Sequence, residues 1–291
     1  MDETNPYRLD KRLARRSFEG AAASYDKAAT LQREVGRRLL DRLGLVRMVP
    51  RRILDLGAGT GETALGLMRH YRGARIVAVD IAHAMLVRAR RRKRWLDRPV
   101  CVCADGERLP FGDGSFDLLF SNLMLQWCTE PDSLFAEFRR VLAPGGMLMF
   151  TTFGPDTLQE LRSSWARVDE CTHVNAFADM HDLGDLLVRA GLAEPVMDAE
   201  RLTVTYGDLH QLMRDLKHMG AHNVTAGRPR GLTGRGRLQR LVDAYEGYRR
   251  EDGLPASYEV VYGHAWSPQV EGGRSPATVS VELRALRGRT P

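Results

Sequence analysis

The stretch Arg52-Ile53-Leu54-Asp55-Leu56-Gly57-Ala58-Gly59-Thr60-Gly61 decides the architecture. A short apolar run enters a glycine turn, and over 62–71 the apolar positions resume a helical period, so the order is strand, turn, helix. Outward from it, 75–80 reads as a second strand, 83–93 as a helix, 100–104 and 116–121 as strands, and 131–141 as a helix. The turn Ala143-Pro144-Gly145-Gly146 then leads into a strand over 147–153. Strands that alternate with helices predict an α/β fold with a parallel sheet covered on both faces and joined by right-handed crossovers.

The flanks follow other rhythms. Apolar residues over 9–43 recur at helical spacing with breaks near Gly20 and Asp26, which predicts two N-terminal helices. After Phe153 the pattern predicts an extra helix over 156–168, a crossover helix over 180–190 and a strand over 196–206. Helices over 207–220 and 235–250 flank a Gly/Pro-rich segment, and a last strand runs over 257–266, antiparallel beside its predecessor. In that strand Tyr258, Val260, Tyr262, His264 and Trp266 share one face, opposite Glu259, Val261, Gly263 and Ala265.

Composition narrows the classes. The chain has 291 residues, 43% of them hydrophobic and 27% charged, and no apolar run approaches a membrane span, so a soluble cytoplasmic protein is expected. Its four cysteines, Cys101, Cys103, Cys128 and Cys171, have neither a disulfide framework nor paired zinc spacing, and no metal is expected. A formal charge of +6 favours acidic partners. The basic residues gather between Arg88 and Arg94 and again at Arg228, Arg230, Arg235, Arg237 and Arg240; both groups are docking candidates, or solvated faces.

The glycine turn presents backbone amides and the positive end of a helix to a ligand. A dinucleotide site favours G-x-G-x-x-G against a pyrophosphate, whereas the spacing here is G-x-G-x-G, with Asp55 placed to receive the ammonium of an amino-acid tail. S-adenosylmethionine has such a tail and no phosphate. Asp80 ends the second strand, where a carboxylate can accept both ribose hydroxyls, and Asp105 follows the third, placed for the adenine amino group. Either could instead be a turn or capping residue. The candidate donor set is Asp55, Gly57, Ala58, Gly59, Gly61, Asp80, Ile81, Asp105, Gly106 and Asn122. Beyond the fourth strand, Ser121-Asn122-Leu123-Met124-Leu125-Gln126-Trp127 lacks the Pro-Pro and Pro-Cys patterns of base-modifying enzymes.

These features resemble the class I S-adenosylmethionine-dependent methyltransferases over roughly residues 50–155. A closer resemblance lies in Phe18 to Val35, Ser121 to Cys128, Phe153 to Arg162 and Leu254 to Trp266, which together look like the malonyl-acyl-carrier-protein O-methyltransferases of biotin synthesis. The resemblance implies a Rossmann-like seven-stranded sheet with its last strand antiparallel. It also implies an N-terminal helical cap over 1–48, a core over 49–206 with a helical insertion near 155–170, a helical lid over 207–251, and a last strand and tail over 252–291.

It further implies methyl transfer to the carboxylate of a malonyl thioester carried by acyl carrier protein, an acidic partner, or by coenzyme A. No membrane or nucleic-acid partner is expected, and oligomeric state stays open. An ionised acceptor needs no general base, so positioning groups are sought: Arg162 as a bidentate carboxylate clamp, Tyr25 and Gln32 closing over the reactants, and Gln126 and Trp127 beside the methyl. Arg162 could equally solvate a helix face or pair with Asp156 or Glu160, Tyr25 could be core, and Trp127 could be packing. His181 and His264 are read as structural. Other readings share the donor site: a methyltransferase for another small acid or a quinone, or a donor-binding assembly factor resembling respiratory-complex assembly proteins, which share the Gly154 to Arg162 segment.

Overall fold

In the computed structural model, which describes residues 6–92, 99–229, 231 and 233–269, seven strands form one sheet in the order β3-β2-β1-β4-β5-β7-β6. They are β1 (Arg52–Leu56), β2 (Arg75–Asp80), β3 (Val100–Cys103), β4 (Phe116–Asn122), β5 (Leu142–Phe153), β6 (Ala193–Tyr206) and β7 (Leu254–Trp266). The first five run parallel, and β7 inserts antiparallel between β5 and β6. The expected sheet is therefore the observed one.

Alternation explains the two-layered covering. Ile53, Ile76, Leu118, Phe120, Met147, Met149, Val260 and Tyr262 face one layer, while Leu54, Val77, Leu119, Leu148, Phe150 and Val261 face the other. The first layer is covered by α3 (Thr30–Leu43), α4 (Glu62–His70), α7 (Gln159–Ala166), α9 (Leu209–His218) and α10 (Arg235–Glu246). The second is covered by α6 (Pro131–Val141) and α8 (Met180–Arg189). Burying each large side chain such as Phe120 or Phe150 contributes about 2 kcal/mol, so both faces are held by many such terms.

Several boundaries move. The N-terminal helical region breaks twice, giving α1 (Lys11–Ala21), α2 (Tyr25–Ala28) and α3. The extra helix α7 is shorter than its periodicity suggested because Leu158 takes a left-handed conformation, φ 54°, ahead of it. β5 starts earlier than its apolar run, since Leu142 pairs with Phe116 before a bulge restores register at Leu118 and Met147. The inserted helices α9 and α10 are packed into the body, with Leu209, Leu212, Leu241 and Tyr245 buried in the core, and only the chain after α9 reaches the central cavity. Arg94 and Arg230, parts of the two basic groups, and the tail beyond 269 lie outside the described residues, as do residues 1–5.

β1 lies between β2 and β4, so the crossovers leave it in opposite directions and open a crevice at the strands' carboxyl ends. α5 (His83–Arg91) closes one side of that crevice and packs against α1.

Candidate active site

The crevice is a cavity roofed by the N-terminal helices. Its floor is the glycine turn. Gly57 and Ala58 donate their backbone N–H groups to the Val79 carbonyl at 2.8 and 3.0 Å, which fixes the turn to β2. Gly57 has φ +74°, and a Cβ there would lie 2.5 Å from the Met124 side chain. Gly61, φ +85°, begins α4 where a Cβ would come within 2.8 Å of Ala89 on α5.

Asp80 accepts from Gly59 N–H at 2.9 Å and from Ala82 N–H at 2.8 Å, one bond to each oxygen. Burial, with the acidic Glu19 nearby, nevertheless pushes its carboxyl up to about 6. Each oxygen keeps a lone pair for a further donor, which suits a vicinal diol at the cavity wall. Asp105 accepts from Glu107 N–H at 3.1 Å and is bound at 2.7 Å by the Lys11 ammonium, which also reaches Glu107. Desolvation opposes that ammonium, yet its hydrogen bonds to the two acids raise it above its ordinary value.

The wall brings together Gly57, Gly59, Asp80, Ile81, Asp105, Gly106 and Asn122 of the expected donor set. Three members lie elsewhere. Asp55 is fully buried and accepts from the Thr63 hydroxyl at 2.8 Å, tying β1 to α4. Its other oxygen has no partner, and burial, with Asp80 adding, pushes it up to about 7. It does not line the cavity, so direct contact with an ammonium there is not what the structure shows. Ala58 lines a neighbouring groove beneath α3, and Gly61 serves the helix contact just described.

A second chamber adjoins the first and shares with it Gln32, Gln126, Trp127, Phe153, Met219 and Ala221. Thus Gln32, Gln126 and Trp127 stand at the junction, and Tyr25 lines the first chamber. The Tyr25 hydroxyl is pushed far above its ordinary value, chiefly by burial and then by Asp80 and Asp26. Trp127 meets Phe18 of α1 edge to face at 5.0 Å, so it both lines the cavity and holds the roof. Asn122 donates to the Gln32 carbonyl at 3.0 Å and accepts from Thr151 at 2.9 Å, locking α3 to β4.

Arg162 is placed elsewhere. Its guanidinium donates to the carbonyls of Pro155 at 2.8 Å and Thr157 at 3.1 Å, and it lines neither chamber. The loop before α7 has carbonyls with no helical partner, and a nearby guanidinium satisfies them at closer range than a ligand could. Neither alternative partner holds it: Asp156 is bonded by Arg201, and Glu160 accepts from Ser257. Asp179 caps α8 by accepting from the N–H of His181, whose side chain is exposed, while His264 sits on β7 near Arg42; neither histidine reaches a chamber.

Sequence reasoning missed Lys11, Ala14 and Phe18, although their i, i+3, i+7 spacing marks one face of α1. It also missed His173, Asn175 and His222 in the second chamber, for which no local pattern exists. Cys128 lines the first chamber, but burial, with Glu107 adding, holds its thiol well above the usual range, so it is no nucleophile. Asp169, Cys171 and His173 gather ligand-type atoms within 4.8 Å of one another, yet Asp169 already bears Arg237 and His173, which makes the group an ion-pair network.

Glycine floor, diol-accepting Asp80 and the adjoining Asp105 fit S-adenosylmethionine, which is the cofactor. The family described as Methyltransferase domain matches residues 54–150. The fold is similar to that of the YcgJ protein from Bacillus subtilis, with a TM-score of 0.57 at 16% identity, covering 80% of this chain and 99% of that one. The chain is 52% identical to the malonyl-[acyl-carrier protein] O-methyltransferase of Halorhodospira halophila, over 97% of each chain. It is 50% identical to the protein so named from Methylovorus sp., over 96% of each. At that identity over nearly the whole length, the chain belongs to the malonyl-[acyl-carrier protein] O-methyltransferase family.

Proposed function

We propose that the protein methylates the free carboxylate of a malonyl thioester on acyl carrier protein, yielding the methyl ester used in biotin synthesis. The observation that carries this reading is the second chamber. It opens on the donor chamber through Gln32, Gln126, Trp127 and Phe153 and has no Lys, Arg, Asp or Glu on its wall among the described residues. Such a chamber takes a small acceptor, and an acceptor already ionised at neutral pH needs no general base.

When bound, S-adenosylmethionine supplies an electrophilic methyl: a carboxylate oxygen bonds to it as the sulfur–methyl bond breaks, with the electron pair left on sulfur. Opposite charges disappear together in that step, so a site poor in water favours it. The chain's own residues provide that setting. Asp80 and the glycine turn orient the donor, and Lys11 ties α1 across Asp105 and Glu107 as a roof. Phe18, Trp127 and Phe153 exclude water around the junction, and Asn122 fixes Gln32 there.

One assay tests the reading. Donor labelled on the methyl is offered with malonyl-acyl-carrier protein, malonyl-coenzyme A, free malonate and bulk RNA. Label is expected in a base-labile ester on a malonyl thioester. Label stable to base on RNA, with none on malonyl thioesters, overturns the reading.

A further inference from the structure

An acceptor carboxylate needs hydrogen-bond donors, and with Arg162 committed elsewhere the second chamber must find them among its other groups. Most of its polar side chains are occupied. The Thr157 hydroxyl donates to the Glu259 carbonyl, and Gln126 is tied to the Leu123 carbonyl and the Thr152 hydroxyl. The Asn223 amide is tied to Thr172 and Thr225. Beside the amides of Gln32 and Asn175, two imidazoles remain on the wall, His173 and His222.

They sit in different surroundings. Burial, helped by Lys217, pushes His222 down from its ordinary value, so it stays neutral. His173 instead places Nε2 2.8 Å from an Asp169 oxygen, and Asp169 is held in turn by Arg237 of α10. The ring lies flat on Trp165, with centroids 3.5 Å apart and planes within 3°, and its side chain is only 8% exposed. Nδ1 makes no hydrogen bond to the described residues.

We propose that His173, oriented by Asp169 and Trp165, donates from Nδ1 to the acceptor carboxylate and so selects an ionised short-chain acid; this rests on the malonyl reading above. Nε2 is taken by Asp169, so donation from Nδ1 uses the doubly protonated ring and makes two charge-assisted hydrogen bonds. Asn175 and Gln32 line the same chamber, and each keeps a buried amide oxygen without a partner. A half-turn of either amide offers its NH2 to the same anion. Asp169 and Arg237 act through the ring as positioning residues. The charged and titratable groups around it are Asp169 and Cys171 on its own segment, Arg237 on α10, His222 after α9, and Tyr258 on β7.

The test uses the full chain with malonyl- and acetyl-acyl-carrier protein, the second lacking only the carboxylate. In His173→Gln, kcat/KM for the malonyl carrier is expected to fall about 10- to 100-fold, mostly through KM, while donor affinity measured by calorimetry holds within about twofold. The preference for malonyl over acetyl carrier, measured by competition, is expected to collapse by the same factor. A merely structural histidine would not move that preference. If the wild type transfers no methyl to any malonyl thioester, the malonyl reading itself fails. If the wild type is active and His173→Gln keeps both its KM and its malonyl preference, the proposal for His173 is overturned and the function stands. Should His173→Gln lose donor binding, Asp169→Asn, which keeps the ring, decides on the same preference: its loss supports the proposal and its retention overturns it.

Discussion

The donor chamber draws its floor from the ends of β1, β2 and β3, all within residues 56–106, and is braced by backbone bonds such as Gly57 to Val79 and by Asp80 on Gly59. The chamber proposed for the acceptor has no such local frame. Its wall is assembled from Gln32 on α3, Gln126 and Trp127 after β4, the 157–177 segment, the chain after α9, and Tyr258 on β7. β7 is its organiser, because it accepts the N–H groups of Gly154 and Leu158 and so places the loop that leads into α7. A chamber framed by strand ends tolerates change in its roof, whereas one assembled from distant segments depends on each segment's docking.

The largest expected effect breaks the donor side. Asp80→Ala removes two ligand hydrogen bonds to a carboxylate, each worth about 1.5 kcal/mol, so donor affinity by calorimetry should fall about 100-fold. An unchanged affinity would remove Asp80 from the donor site. Next comes pH. Donor hydroxyls need Asp80 ionised, and its carboxyl is pushed up to about 6, so donor affinity should rise from pH 5 to 7 and be about tenfold weaker at pH 5 than at its plateau. A flat profile would contradict a buried, diol-binding Asp80. Without donor the sign reverses for stability: a carboxyl raised on folding stabilises the fold below its unfolded value near 4, and that contribution is lost as pH rises through about 6.

Lys11→Ala tests whether the roof belongs to the donor chamber. Freeing Asp105 and Glu107 from one ammonium should weaken the donor about fivefold, roughly the worth of one partly exposed ion pair. Equal losses in acceptor KM and donor affinity would show instead that α1 serves both chambers. The smallest effect sharpens the acceptor side. Arg162→Ala should leave acceptor KM within about twofold while lowering stability to urea by about 1–2 kcal/mol, since two loop carbonyls lose their partner. A large rise in acceptor KM would return Arg162 to the chamber.

Legibility followed the same division. The glycine turn, Asp80 and Asp105 could be read because strand-end register is local: once three strands are placed, their next residues face one crevice. Gln32 and Trp127 were legible through family resemblance, and the structure places both at the junction of the chambers. Asp55 and Arg162 lie off both chamber walls, because residue type announces a capacity for a partner and not its identity. Asp55 meets Thr63 in the first turn of α4, and Arg162 of α7 meets two carbonyls of the loop before its helix. His173 was invisible, since its role depends on Trp165, Asp169 and Arg237, the last from a helix far along the chain.

By itself the sequence determined the sheet, its glycine turn and the chemistry of the donor site, because short-range periodicity and strand-end geometry need no long-range partners. Only the tertiary structure decided which side chains line the second chamber. A charged or amide group takes whichever partner packing brings within hydrogen-bond reach, and for residues such as Arg162 and His173 that partner is settled by the docking of loops and helices.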